Sequence, residues 1–359
     1  MAGKLALGLD IGSSGVKLIQ LKEQRKRGQT VFALQSFGMK PLPPEAIVDG
    51  ALMNSTAIVQ AVQELLGELK VKQKDVAIGV SGHSVIIKKI SMPRMSEEEL
   101  EEAIQWEAEQ HIPFDIKDVN IDTQILNPDA NDATGQMDVL LVAAKKDMIN
   151  DYTTVVSEAG LAPAVVDVDA FAVQNCFTAN YEASSGETVV LINAGAAVVN
   201  INIVTQGATT FTRDITIGGN QFTEEIQKQL NVSYEEAEAL KVGGRGGEQD
   251  AVVPQDVERV MGQVAEQVAG EIQRSLDFYA GTAADANFSR VYLSGGTAKI
   301  PALFKTIESR VGVPVEIMNP FKAIEIDNRK FDPGFIMDVA PVAAVAVGLA
   351  LRKAGDKFD

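Results

Sequence analysis

The sequence is poor in the residues that form disulfides and zinc sites. It contains one cysteine, Cys176, and two histidines, so a disulfide within the chain is impossible and a Cys/His zinc site is not expected. Positive charge is scarce: the formal net charge is −17, which argues against nonspecific nucleic-acid binding and against a polybasic grip on anionic lipid. No uninterrupted apolar run approaches about 18 residues, and the N-terminus shows no signal-peptide pattern. We therefore expect a reduced, cytosolic, soluble protein that reaches any membrane only through partners.

Apolar residues are abundant. The 359 residues are 46% hydrophobic and 23% charged, which indicates a globular protein too long for one compact core. Residues 4–83 read as three strands, a helix and a fourth strand, the first half of a ribonuclease-H-like unit, and residues 84–150 interrupt this pattern as an α+β insert. The predicted division is a first lobe in 1–83, the insert in 84–150, a return to the first lobe and a crossing in 151–184, a second lobe in 185–338, and a C-terminal helix packed on the first lobe in 339–359.

The second half repeats the first. The stretch VVLINAGAAVVNINIV (189–204) superposes on ALGLDIGSSGVKLIQL (6–21), which places Asn193 on Asp10 and Gly195 on Gly12. Duplication of a strand-turn-strand unit predicts a pseudo-symmetric α/β protein with a cleft between its halves.

Each repeat carries a turn of small residues after a buried strand. In GLDIGSSGVK (8–17), such a turn is either a tight hairpin or a phosphate site, where backbone N–H groups face phosphate oxygens without obstruction by side chains. Asp10 could hold Mg²⁺, since this cation prefers carboxylate and phosphate oxygens. Lys17 could pair with phosphate or be an exposed strand lysine.

Three further features have both a functional and a structural interpretation. Gly218–Gly219 precede a helix and could present free N–H groups to an anion. Gly295–Gly296 could contact a base or a phosphate, or form a plain strand-to-helix turn. Glu238 and Lys241 could approach a ribose and a base, or be an ordinary i,i+3 surface pair.

The insert contains a helix with a clear start signal. Ser96 and Glu99 have the spacing of a capping box. We expect Trp106 to pack this helix together with Leu100, Ala103 and Ile104, although these residues could also border a peptide groove. The acidic run Glu97–Glu102 is expected to be a solvated face, with attraction of a basic partner segment as a minor alternative. Both histidines, His83 and His111, are expected to be structural.

Taken in order, these turns and helices resemble the actin/Hsp70/FtsA ATPase superfamily, and the insert resembles the extra SHS2-type subdomain of the FtsA-like branch. Four longer segments resemble the PilM family of type IV pilus assembly proteins: ISMPRMSEEELEEAIQWEAEQHIPF (90–114), VVDVDAFA (165–172), EIQRSLDFY (271–279) and PVAAVAVGLALR (341–352). The resemblance implies a duplicated, two-lobed, actin-like α/β fold with an α+β insert, and binding of ATP with Mg²⁺.

The resemblance also implies site residues. It implies that the phosphates and Mg²⁺ contact Asp10, Gly12, Ser13, Ser14 and Lys17 on one side and Asn193, Gly195 and Ala196 on the other, with Asp10 as metal ligand and candidate catalytic residue. It implies that the nucleoside lies near Gly218, Gly219, Glu238, Lys241, Gly295, Gly296, Thr297 and Lys299.

The implied partner is the cytoplasmic N-terminal segment of the inner-membrane protein PilN, docked between the first subdomain and the insert. The resemblance further implies twitching motility as the process served, contacts with cytoplasmic ATPase motors and the inner-membrane platform, and a homo-oligomeric ring at the membrane.

One position departs from the superfamily pattern. The second turn usually carries an acid, and here it has Asn193, which adds no charge for Mg²⁺ and cannot act as a base. Asp167 and Asp169 could compensate or could simply solvate a strand end. We expect nucleotide binding with slow or negligible hydrolysis.

Two other functions remain open at this point. One is a filament-forming homologue of the FtsA or MreB type, although the termini lack the amphipathic membrane helix common in those relatives. The other is a sugar kinase on the same fold, which would need a catalytic base that the second turn does not offer.

Overall fold

The computed structural model of the chain describes residues 6–26, 28–126, 135–182, 186–243, 255–283 and 287–353.

The first lobe begins with a meander, a helix and a returning strand. These elements are β1 (Leu7–Gly12), β2 (Gly15–Lys26), β3 (Gln29–Pro41), the short strands β4 (Ile47–Val48) and β5 (Ala51–Leu52), α1 (Ser55–Leu69) and β6 (Asp75–Val80). Helix α1 forms because Ile58, Val62 and Leu65 repeat at helical spacing on its buried face, and Asn54 accepts a hydrogen bond from the Ala57 N–H at its start.

The insert follows β6, and the chain then returns to the first lobe. The elements are β7 (Val85–Pro93), α2 (Glu97–Ala108), β8 (Val119–Ile125), β9 (Gln136–Lys145), α3 (Lys146–Glu158), β10 (Ala162–Val168) and α4 (Asp169–Asn180). The first-lobe sheet has the order β10-β6-β1-β2-β3, and the insert has its own sheet with the order β7-β9-β8.

The second lobe repeats this arrangement. Its elements are β11 (Thr188–Ala194), β12 (Val199–Thr205), β13 (Ala208–Ile215), α5 (Gly219–Leu230), α6 (Tyr234–Lys241), α7 (Gln255–Thr282), β14 (Phe288–Ser294), α8 (Pro301–Val311) and β15 (Val315–Ile317). Its sheet order, β13-β12-β11-β14-β15, corresponds strand for strand to β3-β2-β1-β6-β10 of the first lobe. Each sheet has an antiparallel meander followed by two parallel strands. The duplication predicted from the turns is therefore present in the fold.

The insert confirms one prediction about its helix and corrects another. Ser96 and Glu99 form the predicted capping box at the start of α2. Leu100 and Ile104 are buried against the insert sheet as expected. Trp106 is not part of this packing, because its position on the helix turns it outward and it is 76% exposed.

The C-terminal helix is shorter than the predicted helical segment 339–359. Helix α9 (Pro333–Val339) and a short 3-10 helix (Ala340–Ala343) lead into α10 (Ala344–Ala350), which packs on β1, β2, β6 and α4 of the first lobe. Residues 354–359 of the predicted segment lie outside the described residues. Among the described residues, the stretch Pro333–Ala350 is long and apolar enough to cross a membrane by length and composition, with a mean hydropathy of 1.7, but 67% of it is buried inside the protein. We assign it to the core.

Candidate functional site

A cavity of about 1180 Å³ lies in the cleft between the two lobes. The predicted site residues that line it are Asp10, Gly12, Ser13, Ser14, Lys17, Asn193, Gly195, Ala196, Gly219, Glu238, Lys241, Gly295, Gly296, Thr297 and Lys299. Gly218 is the predicted site residue that is not in this lining. The fold thus brings residues separated by more than half the chain onto one cavity, which is of a size suited to a small-molecule ligand.

The first turn is a two-residue hairpin. Gly12 and Gly15 pair across its base, and Ser13 and Ser14 form its tip. Asp10 and Lys17 face each other two residue pairs further along the ladder, where the Lys17 Nζ lies 3.0 Å from the Asp10 Oδ2. Lys17 is therefore not the exposed strand lysine of the alternative interpretation, because its side chain is 14% exposed and directed at the cavity.

The two facing turns present unused backbone donors. Among the described residues, the N–H groups of Ser13, Ser14, Ala196 and Ala197 have no hydrogen-bond partner within the protein. Free N–H groups grouped in a turn form a concave site for anions. Two such groups on opposite walls of one cavity are suited to a ligand with several phosphates.

The start of α5 does not supply the free donors that we expected. The N–H groups of Gly219 and Asn220 donate to the carbonyls of Gly195 and Ala196 at 3.0 and 2.8 Å. Gly218 is buried at this contact, where a Cβ atom would lie 2.6 Å from both carbonyl oxygens. The expectation of a free N–H donor is therefore wrong for Gly219. Instead, close packing at Gly218 and the hydrogen bond from Gly219 hold the start of α5 against the second turn.

Asn193 starts a chain of hydrogen bonds that crosses to the first lobe. Its Nδ2 donates to Asn200 Oδ1 at 3.1 Å, and Asn200 Nδ2 donates to Asp214 Oδ1 at 2.8 Å. Asp214 Oδ2 then accepts from the N–H of Gly82, which lies just before the insert, at 2.7 Å. A second bond between the lobes joins His83 Nε2 and Thr216 Oγ1 at 3.2 Å. The acid absent from position 193 is thus present two hydrogen bonds away, at Asp214.

Asp169 lies in the cleft at the start of α4. Gly79 leaves room for it, since a Cβ atom there would lie 2.2 Å from the Asp169 Oδ1. Burial, the nearby Asp10 carboxylate and then Asp214 raise the pKa of Asp169 well above its usual range. The solvated strand end considered for this residue is therefore excluded.

Asp167 is also not a solvated strand end. It is 6% exposed and pairs with Arg352 at 3.3 Å. Burial raises the pKa of Asp167 to about 6, against the opposing effect of Arg352. The charge of Asp122, on β8 of the insert, raises the pKa further, which places the insert close to β10.

The other wall of the cavity contains a compact polar network on α5 and α6. Lys241 Nζ donates to Glu238 Oε2 at 2.6 Å and to Thr223 Oγ1 at 2.9 Å. The lysine side chain is only 11% exposed, so this pair is not an ordinary surface pair. Thr297 Oγ1 donates to the Gly195 carbonyl at 2.7 Å and joins the third glycine turn to the second.

Sequence reasoning missed several residues of the cavity. The additional lining residues include Asp49, Tyr152, Tyr234, Met261, Ile300, Lys305 and Val342. They come from helices and loops without a motif, and their side chains meet only through the tertiary fold. Lys299 lines the cavity as predicted, but its ammonium group pairs with Asp338.

A second feature lies between the insert and the first lobe. In the part of the chain that the structure describes, β8 pairs only with β9 and β10 pairs only with β6, so each strand has one free edge. One face of the insert sheet packs, through Leu140, against Val168 and Phe171 at the start of α4. The two free edges border this contact, and a free edge can add an extended peptide by main-chain hydrogen bonds.

Comparisons with solved structures agree with the fold. The chain is similar to the "PilM-PilN type IV pilus biogenesis complex", with 29% identity, a TM-score of 0.85, and coverage of 97% of this chain and 98% of that chain. It is also similar to the ethanolamine utilization protein EutJ from Carboxydothermus hydrogenoformans, at 15% identity, a TM-score of 0.57, and 96% and 89% coverage. MreB5 of Spiroplasma citri bound to ADP matches at 13% identity, a TM-score of 0.50, and 95% and 94% coverage. The latter two matches support a two-lobed actin-like fold.

The sequence also matches a protein family along nearly its whole length. The profile of the family described as "Type IV pilus assembly protein PilM" covers residues 8–354. The chain belongs to the PilM family of type IV pilus assembly proteins.

Proposed function

We propose that this protein is an ATP-binding assembly component of the type IV pilus machine that docks the N-terminal cytoplasmic segment of PilN. The observation that carries the nucleotide part is the pair of facing turns with free N–H groups at Ser13, Ser14, Ala196 and Ala197. The nucleotide in a solved structure of similar fold, MreB5 of Spiroplasma citri bound to ADP, supports the same ligand class.

Mg²⁺ would accompany the phosphates. The described residues contain no group of three or more His, Cys, Asp or Glu side chains placed to hold a metal ion. The carboxylates that face the cavity, Asp10 and Asp169, fit a hard cation that takes its remaining ligands from phosphate and water. Asp10 would be the protein ligand, and Lys17, now paired with it, would be close enough to contact a phosphate.

Hydrolysis is expected to be slow. Asn193 cannot remove a proton from water, and its amide is already committed to Asn200. Asp169 has its pKa raised by burial and by Asp10, so a bound cation near Asp10 would have to lower it before it acted as a base. We expect turnover far below about 1 per second, the lower end of the ordinary enzyme range.

The docking site for PilN would lie between the insert and the first lobe. The free edges of β8 and β10 offer main-chain donors and acceptors to an extended peptide. The structural match to the PilM-PilN complex extends over 97% of this chain, insert included, which supports the same partner. Binding to PilN would hold this protein at the cytoplasmic side of the inner membrane and would place it beside the machine's other components.

The hydrogen-bond chain from Asn193 to Gly82 offers a route from the nucleotide to the peptide. A nucleotide that draws the second turn inward would move Asn200 and Asp214, and Asp214 accepts a hydrogen bond from Gly82, just before the insert. ATP would therefore fix the angle between insert and first lobe, and the peptide affinity would depend on it.

Asp10→Ala tests the nucleotide site. Since it removes the proposed ligand of Mg²⁺, it should weaken Mg-ATP binding about tenfold or more, and magnesium should no longer improve ATP affinity. Asp151→Ala, at an exposed position of α3 outside the cavity, is the matched control and should bind as the original chain does. Calorimetry with and without Mg²⁺ gives both affinities. Unchanged magnesium-dependent binding in Asp10→Ala would place the nucleotide elsewhere.

A further inference from the structure

No element that the structure describes covers the outer face of helix α2. Its inner face, with Leu100 and Ile104, covers one side of the insert sheet. The other side of that sheet, through Leu140, packs toward α4. The outer face of α2 therefore lies on the opposite side of the insert from the sheet face that packs toward α4.

This face combines an exposed aromatic side chain with unneutralised acid. Trp106, the only tryptophan of the chain, is 76% exposed. Glu98, Glu102 and Glu109 follow the same helical stripe, and none of these three has a cationic partner among the described residues. A large exposed aromatic ring flanked by carboxylates favours a cationic partner, since a guanidinium can stack on the ring and pair with the acids. We call these four residues the acidic face.

The same chain has a basic surface at the other end of its first lobe. Lys22, Arg25 and Lys26 are exposed near the tip of the β2–β3 hairpin, and Arg329 and Lys330 are exposed on the adjoining segment. The Lys26–Glu325 ion pair and the bridge from Ala33 to Glu325 hold the two segments together. We call these five cations the basic patch. Arg25 and Lys330 have no carboxylate partner among the described residues, although the whole chain has a charge of −17.

The two surfaces lie at opposite edges of the first-lobe sheet. The basic patch borders β3 at one edge, whereas the insert is attached beside β10 at the other edge. Complementary surfaces at opposite ends cannot meet within one molecule, but they can meet between copies. Such a contact is head-to-tail, and it produces an open chain or a closed ring.

We propose that the acidic face of one copy docks on the basic patch of the next copy, with Trp106 stacked on an arginine of the patch. This interface is separate from the nucleotide cavity and from the β8 and β10 edges. It therefore holds or fails independently of the function proposed above.

Sedimentation velocity and tryptophan emission of the full chain test this interface. Because Trp106 is the only tryptophan, its emission reports this one position. Raising the concentration to about 100 μM at low salt should produce larger species, shift the emission to shorter wavelength and reduce quenching by acrylamide. Raising the salt from about 0.05 to about 0.5 M should reverse these changes. A chain that stays monomeric with unchanged emission would overturn the proposal.

A charge swap identifies the two surfaces. Glu102→Lys/Glu109→Lys makes the α2 face basic, and Arg25→Glu/Lys330→Glu makes the patch acidic. Each double variant alone should self-associate about tenfold more weakly, because its two surfaces then repel. An equimolar mixture of the two variants should associate again, since each reversed surface meets a complementary one.

Glu308→Lys, which reverses one charge at an exposed site of the second lobe, is the control and should associate as the original chain does. Association that survives in both double variants, or a mixture that stays monomeric, would contradict the assignment of these surfaces.

Discussion

Replacing Asp214 by Asn tests the hydrogen-bond chain between the lobes. The carboxylate accepts from Asn200 on one oxygen and from the Gly82 N–H on the other. An amide has one acceptor oxygen, so it can keep one of these bonds, and its NH₂ group must face the other donor. The lost bond and the donor left without an acceptor should cost about 2 kcal/mol in the free energy of unfolding. In a chain of 359 residues this corresponds to a decrease in Tm of about 3 °C.

Two measurements distinguish this effect from general destabilisation. Amide hydrogen exchange at Gly82 should become faster relative to exchange in the α1 helix, because the bond that protects this amide is weakened. The effect of Mg-ATP on the affinity for the PilN peptide should decrease, while each ligand alone still binds. Asp151→Asn, at an exposed site of α3, is the isosteric control and should change neither quantity. Unchanged exchange at Gly82 with full stability would refute the bridge between the lobes.

Three further predictions concern packing and pH. Gly219→Ala places a Cβ atom 2.6 Å from the Thr297 Oγ1, so it should lower the unfolding free energy by about 1–3 kcal/mol and weaken ATP binding in calorimetry. Gly67→Ala has open space and should stabilise α1 by up to about 1 kcal/mol in the same denaturation assay. Because the folded chain holds the Asp167 proton up to about pH 6 and the unfolded chain releases it near pH 4, this group makes the protein less stable as pH rises through that window, by about 3 kcal/mol. Asp167→Asn, which keeps a neutral partner for Arg352, should flatten this part of the curve of unfolding free energy against pH.

The features predicted from the sequence are those that depend on local backbone requirements. The glycine and serine turn after β1 and its counterpart after β11 could be recognised because close backbone approach restricts which residues fit. The Ser96 and Glu99 cap is also local, since both bonds lie within four residues. The repeat of the turns then implied the two similar sheets.

The features that sequence reasoning missed depend on tertiary contacts. Asp214 lies in a strand of ordinary pattern, and its role appears only when Asn200 and Gly82 are brought next to it. The Gly219 N–H was expected to be a free donor at the helix start, because the carbonyl that accepts it belongs to the second turn and is distant in sequence. The prediction for Trp106 was wrong for a different reason: two positions after the buried Ile104, a helical residue points away from the core, and the sequence already contains that information.

The most direct test of the proposed function is a calorimetric titration of the full chain with the N-terminal cytoplasmic peptide of its cognate PilN, with and without Mg-ATP. We predict binding at one site, with an affinity that changes when Mg-ATP is present, and the ratio of the two affinities gives the coupling free energy between cleft and groove. Absence of peptide binding in both conditions would contradict the docking function. Equal affinities in both conditions would contradict the coupling through Asp214.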